Sequence, residues 1–393
     1  MPLTFPALRL TGAQILRDGS LRPGALSLEG GRIAARGGTE VDLAGYLVLP
    51  GIVDLHGDAF ERHLRPRPRV DFGMAQGLLA TDRDAAANGV TTAWLAQSWS
   101  WEGGHRSPDF AERMLAALAE ARPRLQTDLR VQIRCETYMT ATLERLVEAV
   151  RAHGVDYVVF NNHLDEALAL VHAQDSQLGV YAKSVGRSAE DYARTVREAK
   201  KQAAAVPRFL CSLAAAFDRM NVLYGSHDDR DAETRETYSM IGAKICEFPL
   251  SRAVAKLAKA VNDPVLMGAP NVVRGGSQNG NVSARALIEA GCCDALVSDY
   301  CYPTMARAAF ELADWGVLSL AEAWAMISTR PAQILRLADR GLITEGRRAD
   351  LAIVNAETHE VEATLVEGRV THLSGEAARR FLAAPERLSM AAE

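Results

Sequence analysis

His56-Gly57-Asp58 closes the apolar run Leu47-Val48-Leu49-Pro50-Gly51-Ile52-Val53. Side chains two apart on a strand point the same way, so His56 and Asp58 can converge on one metal ion. Other strand-like runs end in the same residue types. Val131-Gln132-Ile133-Arg134-Cys135 ends at Glu136, and Tyr157-Val158-Val159-Phe160 ends at Asn161-Asn162-His163. Val222-Leu223-Tyr224 leads to His227-Asp228-Asp229, and Ala295-Leu296-Val297 leads to Ser298-Asp299-Tyr300. Three imidazoles (His56, His163, His227) and three carboxylates (Asp58, Glu136, Asp299) suit one or two divalent ions, with positions left for water. Zinc fits best, with manganese or iron as substitutes. Each residue alone is ambiguous, since a strand-end His is more often structural; the joint pattern points to chemistry.

A second constellation suits anions. Gly268-Ala269-Pro270-Asn271-Val272-Val273-Arg274-Gly275-Gly276-Ser277-Gln278-Asn279-Gly280-Asn281 also follows a strand. Exposed backbone N–H groups beside Arg274 would form a nest for phosphate oxygens. The candidate substrate contacts are Asn271, Arg274, Gly275, Gly276, Ser277, Gln278, Asn281 and Tyr300. A basic cluster, Arg62-His63-Leu64-Arg65-Pro66-Arg67-Pro68-Arg69, directly follows the His-Gly-Asp motif. Arg62 and, further along, Lys183 are weaker candidates for the same task, and either could be a solvated charge.

These residues need a frame that brings strand ends together. Apolar runs at 47–55, 90–97, 129–136, 156–162, 222–227, 242–248, 265–269 and 295–299 alternate with helix-like segments such as 108–121 and 142–153. That alternation predicts an α/β fold with parallel strands. Eight strands predict a TIM-like (β/α)8 barrel, whose chemistry sits at the C-terminal strand ends. Hairpin-like strands recur at both ends of the chain, turning at Glu29-Gly30-Gly31-Arg32 and Glu367-Gly368-Arg369, where glycine makes positive φ cheap. They predict a small β-sandwich domain formed by both termini, residues 1–49 plus 342–375. The barrel is placed at 50–341 and a peripheral helix or tail at 376–393. Ser188 reads as the cap of a basic, Ala-rich helix running to Ala205. The 164–207 segment is long for a βα connection and marks either a lid or an arm that pairs subunits into a homodimer.

Composition narrows the function classes. A chain of 393 residues with 48% hydrophobic content can build one large and one small core. A net charge of −5 gives no reason to expect nucleic-acid or membrane partners. No run is long enough to span a bilayer, and the first ten residues do not read as a signal peptide. Six scattered cysteines without a C-x-x-C pair read as reduced thiols of a cytoplasmic protein.

At these motifs the chain resembles the amidohydrolase superfamily. Within it, the likeness is to the α-D-ribose 1-methylphosphonate 5-triphosphate diphosphatases of the carbon–phosphorus lyase pathway. The resemblance extends from Pro50–Arg62 to Gly341–Val354. It takes in Arg134-Cys135-Glu136, Ser226-His227-Asp228-Asp229, Glu247-Phe248-Pro249, Met267–Ser277 and Ser298-Asp299-Tyr300. His56-Gly57-Asp58 replaces the superfamily's usual His-x-His, as it does in that branch. Glu136 stands in for the carboxylated lysine that many relatives place between two metals. Gln278 occupies the place of a His in the branch's glycine loop, which removes a group that could be cationic or act as an acid. The segment Asn161-Asn162-His163-Leu164-Asp165 likewise departs from the Asp-His-Thr-Pro-Gly-like run of the branch.

The resemblance implies hydrolysis of a ribose 1-alkylphosphonate 5-triphosphate to the 5-phosphate and pyrophosphate, in phosphonate catabolism. Two ions bridged by Glu136 would lower the pKa of water towards ~7. His56, Asp58 and Asp299 would hold one ion, and His163 and His227 the other. Asp299 would also take the proton of the attacking water. Arg274 and the loop amides would bind the phosphate chain. Two rivals remain: the same scaffold cleaving a C–N or C–O bond of a cyclic amide, lactone or deaminase substrate, and a non-catalytic partner subunit.

Overall fold

The computed structural model describes residues 7–67, 70, 72–277 and 280–390. Both ends of the chain build one mixed sheet. From the N-terminal side come β1 (Ala7–Arg17), β2 (Ser20–Glu29), β3 (Arg32–Ala34), β4 (Thr39–Asp42) and β5 (Tyr46–Pro50). β1 bends at Gly12, where φ is +74° and the register shifts. Its first half pairs with β4 and its second half with β5, so one strand serves two parts of the sheet.

The next eight strands form the second sheet. They are β6 (Ile52–Gly57), β7 (Val90–Trp99), β8 (Asp128–Glu136), β9 (Tyr157–Asn161), β10 (Leu223–His227), β11 (Ile245–Glu247), β12 (Val265–Gly268) and β13 (Ala295–Val297). Each is parallel to its neighbours, in sequence order. Most are buried along nearly their whole length, as parallel strands covered by helices must be. A parallel bridge between Gly57 and Asp299 joins the last strand end to the first and closes the barrel. Around that seam, Val53 N–H donates to Ile327 O and Leu296 N–H to Met326 O, so the turn between helices Leu320–Ala325 and Thr329–Ile334 bonds both strands.

The C-terminal strands β14 (Leu351–Asn355), β15 (Val361–Val366) and β16 (Arg369–Leu373) then return to the first sheet, where β14 pairs antiparallel with β5. Helix Gly375–Met390 packs Ala377 and Phe381 into the same core as Leu10 and Leu351. The expected barrel with a terminal β domain is thus the observed fold.

One predicted strand proves to be two. The run 47–55 is continuous in hydrophobicity, yet the chain leaves one sheet at Pro50 and enters the other at Ile52. Gly51 makes the passage possible, because a Cβ there would lie 2.4 Å from Thr91 Cγ2.

Between β9 and β10 stand helices Leu164–Ala173, Gln177–Ser184, Ala189–Lys200 and Val206–Met220. The first three enclose a small core of their own, with Leu164, Tyr192 and Val196 packed among Trp101 and Tyr138 of the neighbouring loops. Ser188 caps its helix by accepting from Asp191 N–H at 3.1 Å. That helix stops at Lys200 rather than Ala205, and a short 3-10 turn precedes the next helix, which carries Pro207 in its first turn. Among the described residues no helix is long and apolar enough to cross a membrane.

Candidate metal and substrate site

The seam that closes the barrel also places the His-Gly-Asp motif. Asp299 N–H donates to His56 O at 2.9 Å, and Asp58 N–H donates to Asp299 O at 2.7 Å. His56, Asp58 and Asp299 are therefore locked in register at one strand end. Beneath them, fully buried Asp54 accepts from Ser298 N–H at 2.9 Å and from Ser298 Oγ–H at 2.6 Å. Gly57 leaves that carboxylate its space, since a Cβ would come within 2.8 Å of Asp54 Oδ2 and Ser298 Oγ.

His56 and His227 face each other across the barrel interior, with ring centroids 4.9 Å apart and planes 19° from parallel. Glu247, at the end of β11, holds both. Its Oε2 lies 2.8 Å from His56 Nδ1 and 3.0 Å from His227 Nδ1. Its Oε1 accepts from Tyr157 Oη–H and Gln132 Nε2–H, each at 2.6 Å. Although burial opposes ionisation, the two imidazoles hold the Glu247 carboxyl far below its usual range. An ionised acceptor requires both Nδ1 atoms to carry the proton, which leaves the acceptor lone pair of each neutral ring on Nε2. A carboxylate on the far nitrogen is the usual support of a metal-binding imidazole.

Phe248 completes the cradle, with its ring edge-on to His56 at 5.1 Å and to His227 at 5.0 Å. Phe248, Asp228 and Asp299 all have positive φ, at 49°, 57° and 54°. A left-handed conformation is costly for a bulky side chain such as Phe and is commonly kept where function requires it. Here Phe248 N–H donates to Leu266 O and Asp228 N–H to Glu247 O, so each turned residue still bonds the adjacent strand.

The electrostatics show carboxylates crowded against one another. Burial, followed by the Asp58 charge, pushes Asp299 up to about 6 and Glu61 up to about 7. Burial likewise draws His227 down to about 4, with Arg134 and His56 adding to it and Asp228 opposing. Imidazoles oriented by one buried carboxylate and set beside mutually repelling carboxylates are a donor set that fits a divalent cation.

Glu136 and His163 form a separate pair. Glu136 Oε1 is 2.8 Å from His163 Nδ1, and Oε2 accepts from His163 N–H at 3.2 Å and Trp101 Nε1–H at 3.3 Å. Among the described residues, the ligand-type group with donor atoms within 4.8 Å of one another is His56, His227 and Glu247, without Glu136. The oxygens of Glu136, the residue expected to bridge two ions, lie against His163 and Trp101, apart from that group.

A cavity of about 350 Å³ opens over the strand ends. His56, Asp58, His163, His227 and Asp299 line it, as do Asn271, Arg274, Gly276, Ser277, Asn281 and Tyr300. Arg134, Arg106, Tyr181 and Tyr192 add to its wall. The last two come from the helical segment after β9, which therefore shapes the cavity. Glu102 holds Arg106 with both oxygens, at 3.0 and 2.9 Å, and accepts from Tyr192 Oη–H at 3.0 Å.

Several anion-site expectations change. Three N–H groups of the glycine loop are engaged internally: Arg274, Gly275 and Gly276 donate to the Pro270, Val272 and Asn271 carbonyls, closing helix Ala269–Val273. The Asn271 side chain is also engaged, bonded to Val282 O and Ala284 N–H across the loop. Gly275 does not line the cavity. Gln278 lies outside the described residues. Lys183 is exposed on its helix and away from the cavity lining. Arg62 pairs with Asp84 at 2.5 Å and lines a neighbouring groove that shares Asp58 and Tyr300 with the main cavity. In the rest of that basic cluster, His63 also bonds Asp84, and Arg65 meets His105; Pro68 and Arg69 lie outside the described residues.

Glu247, Phe248 and Arg134 are the site residues that sequence reasoning left without a role. Glu247 ends a barrel strand just as His56 and Asp299 do, and that position was the available signal.

A model of the amidohydrolase family matches residues 283–372. The chain is 29% identical over 378 residues to the α-D-ribose 1-methylphosphonate 5-triphosphate diphosphatase of Escherichia coli (strain K12), covering 90% of this chain and 96% of that one. Among solved structures, a β-aspartyl dipeptidase from Fervidobacterium islandicum AW-1 superposes with a TM-score of 0.63 at 14% identity, over 94% of this chain and 98% of that one. A dihydropyrimidinase from Brevibacillus agri NCHU1002 gives 0.56 at 12% identity, over 94% and 97%. These two likenesses concern the fold. With the strand-end donor set and the two sequence matches, the protein is a metal-dependent hydrolase that resembles the amidohydrolase superfamily.

Proposed function

We propose that the protein hydrolyses the triphosphate of a ribose 1-alkylphosphonate 5-triphosphate, giving the 5-phosphate and pyrophosphate. The observation that carries this reading is one cavity lined both by His56, His227, Asp58 and Asp299 and by Arg106, Arg134 and Arg274. Cation-binding donors in one cavity with arginine side chains suit a polyphosphate held at a metal. The activity of the Escherichia coli relative supports the same substrate class.

His56 and His227, through Nε2, and Asp58 and Asp299 would hold the divalent ion, with zinc the first choice and manganese or iron next. Such an ion polarises phosphoryl oxygens and makes water more acidic when bound. Glu247 keeps both imidazoles in the one tautomer that can bind it. Asp299 takes the proton of the water that attacks the phosphorus nearest the sugar. The bond from that phosphorus to the bridging oxygen breaks, and pyrophosphate leaves with the electron pair. A carboxyl pushed up to about 6 is ionised at pH 7 yet basic enough to accept a proton. Arg274, bonded to Tyr300 Oη at 3.5 Å, lies at the cavity wall where the departing phosphates can meet it.

The test is a panel of ribose and nucleoside 5′-triphosphates against cyclic amides, lactones and aminopurines, using metal-reconstituted protein. Release of pyrophosphate from the triphosphates is expected. Turnover of the C–N or C–O substrates alone would replace this reading with its rival.

A further inference from the structure

Arg134 occupies an unusual position for a cation. It lies on β8 between Gln132, which bonds Glu247, and Glu136, which meets His163; all three side chains fall on the inward face of the strand. Its Nη2 donates to His227 Nε2 at 3.0 Å. Its Nε is buried and has no partner, and among the described residues no carboxylate lies within 4.0 Å of its guanidinium. The other arginines near the strand ends differ: Arg106 is neutralised by Glu102 and Arg62 by Asp84. The Arg134 charge bears on His56, Glu61, His163, His227 and Asp299, which places it centrally among the site's ionisable groups.

The Arg134–His227 contact uses the lone pair that the proposed ion requires. Since Nδ1–H is committed to Glu247, Nε2 is the sole acceptor of the ring. Giving that lone pair to a metal ion removes the one side-chain hydrogen bond that Arg134 makes among the described residues. A partly buried guanidinium would then stand beside the ion with its fork of donors unpaired. Leaving such a group unpaired is costly, and a phosphoryl group presents the oxygens that match it.

We infer that Arg134 is a catalytic residue that binds the oxygens of the phosphoryl group undergoing attack, exchanging its bond to His227 Nε2 for them when ion and substrate are present. The inference rests on the proposed phosphoanhydride chemistry. Its bonds are hydrogen bonds only, and the proton of water still goes to Asp299. Charge on the equatorial oxygens is where an arginine contributes most to phosphoryl transfer.

The test uses the full-length, zinc-loaded protein and its Arg134→Ala and Arg134→Lys variants. Metal content, steady-state hydrolysis of a ribose 5-triphosphate and equilibrium binding of ribose 5-phosphate are measured for each. Arg134→Ala is expected to keep its metal, to lose on the order of 100-fold or more in kcat, and to regain part of it with added guanidinium ion. Binding of ribose 5-phosphate, the product type that keeps the attacked phosphoryl group, should weaken at least about tenfold by loss of a charge-assisted bidentate contact. Arg134→Lys, which keeps the charge but not the fork, should remain impaired, and it covers the case in which the alanine variant fails to fold. Wild-type rates and ribose 5-phosphate affinity in both variants would overturn the inference while leaving the proposed function standing. Loss of metal together with activity would also overturn it, by showing that Arg134 supports the imidazoles. A wild-type protein that neither cleaves triphosphates nor binds ribose 5-phosphate would remove both.

Discussion

His56 and His227 come from strands that are far apart in sequence, yet their rings stack 4.9 Å apart with both Nδ1 atoms on one oxygen of Glu247. The carboxylate is wholly buried and receives four donors, so it has no freedom to leave. That relationship fixes the tautomer of two imidazoles at once and directs both lone pairs away from Glu247.

Glu247→Gln should therefore damage metal binding more than folding. The amide cannot accept from two Nδ1–H groups with a full negative charge behind them, and its NH2 end opposes one of them. Loss of an orienting partner typically costs about 10–100-fold in metal affinity. Competition against a chromogenic chelator measures it; unchanged affinity would show that the pair binds no ion.

Asp299→Asn removes the proposed base and keeps the backbone bonds to His56 and Asp58 that close the barrel. Turnover is expected to drop by about 10²–10⁴-fold, with the thermal midpoint near wild type. Near wild-type hydrolysis by metal-loaded Asp299→Asn would exclude that role.

Gly57→Ala tests the seam. The added Cβ would sit 2.8 Å from Asp54 Oδ2 and Ser298 Oγ, neither of which can retreat without breaking their mutual bond at 2.6 Å. A loss of about 1–3 kcal/mol in denaturant unfolding is expected, together with reduced metal content, because His56 and Asp58 flank the position. A variant with full stability would show that the seam is looser than these contacts indicate.

Stability should also depend on acid at the opposite end of the barrel. Burial raises the Asp128 pKa, but Arg130 and Arg340 outweigh it and hold the carboxyl down to about 2. Its unfolded value is about 3.9. A depressed folded pKa gives stability that is present above the unfolded value and lost as pH falls through the folded one. Asp128→Asn should therefore cost about 2–3 kcal/mol at pH 7, and the gap to wild type should narrow between about pH 4 and pH 2. Unfolding curves across that range check it; a gap that does not change with pH would contradict it.

Much of the frame was legible because parallel barrel strands are buried on both faces and read as plain apolar runs. The break at Gly51 was hidden for the same reason: hydrophobicity does not distinguish one sheet from another, whereas the clash with Thr91 does. His56, Asp58, His227 and Asp299 were readable as ligand types at strand ends. Glu247 was harder, since β11 has only three residues and its partners are set by barrel closure. The glycine loop misled because composition does not reveal where N–H groups go, and here they close a short helix. Arg134 looked like one charge inside a strand; its meaning lies in the contact with His227, which no spacing discloses.

The most direct measurement is phosphorus NMR of a ribose 5-triphosphate incubated with protein stripped of metal and with the same protein after zinc is restored. Pyrophosphate and the 5-phosphate should form together, in equal amounts, only with the restored protein. Release of orthophosphate instead, identical rates with and without metal, or no cleavage by a fully loaded protein would contradict metal-dependent triphosphate hydrolysis.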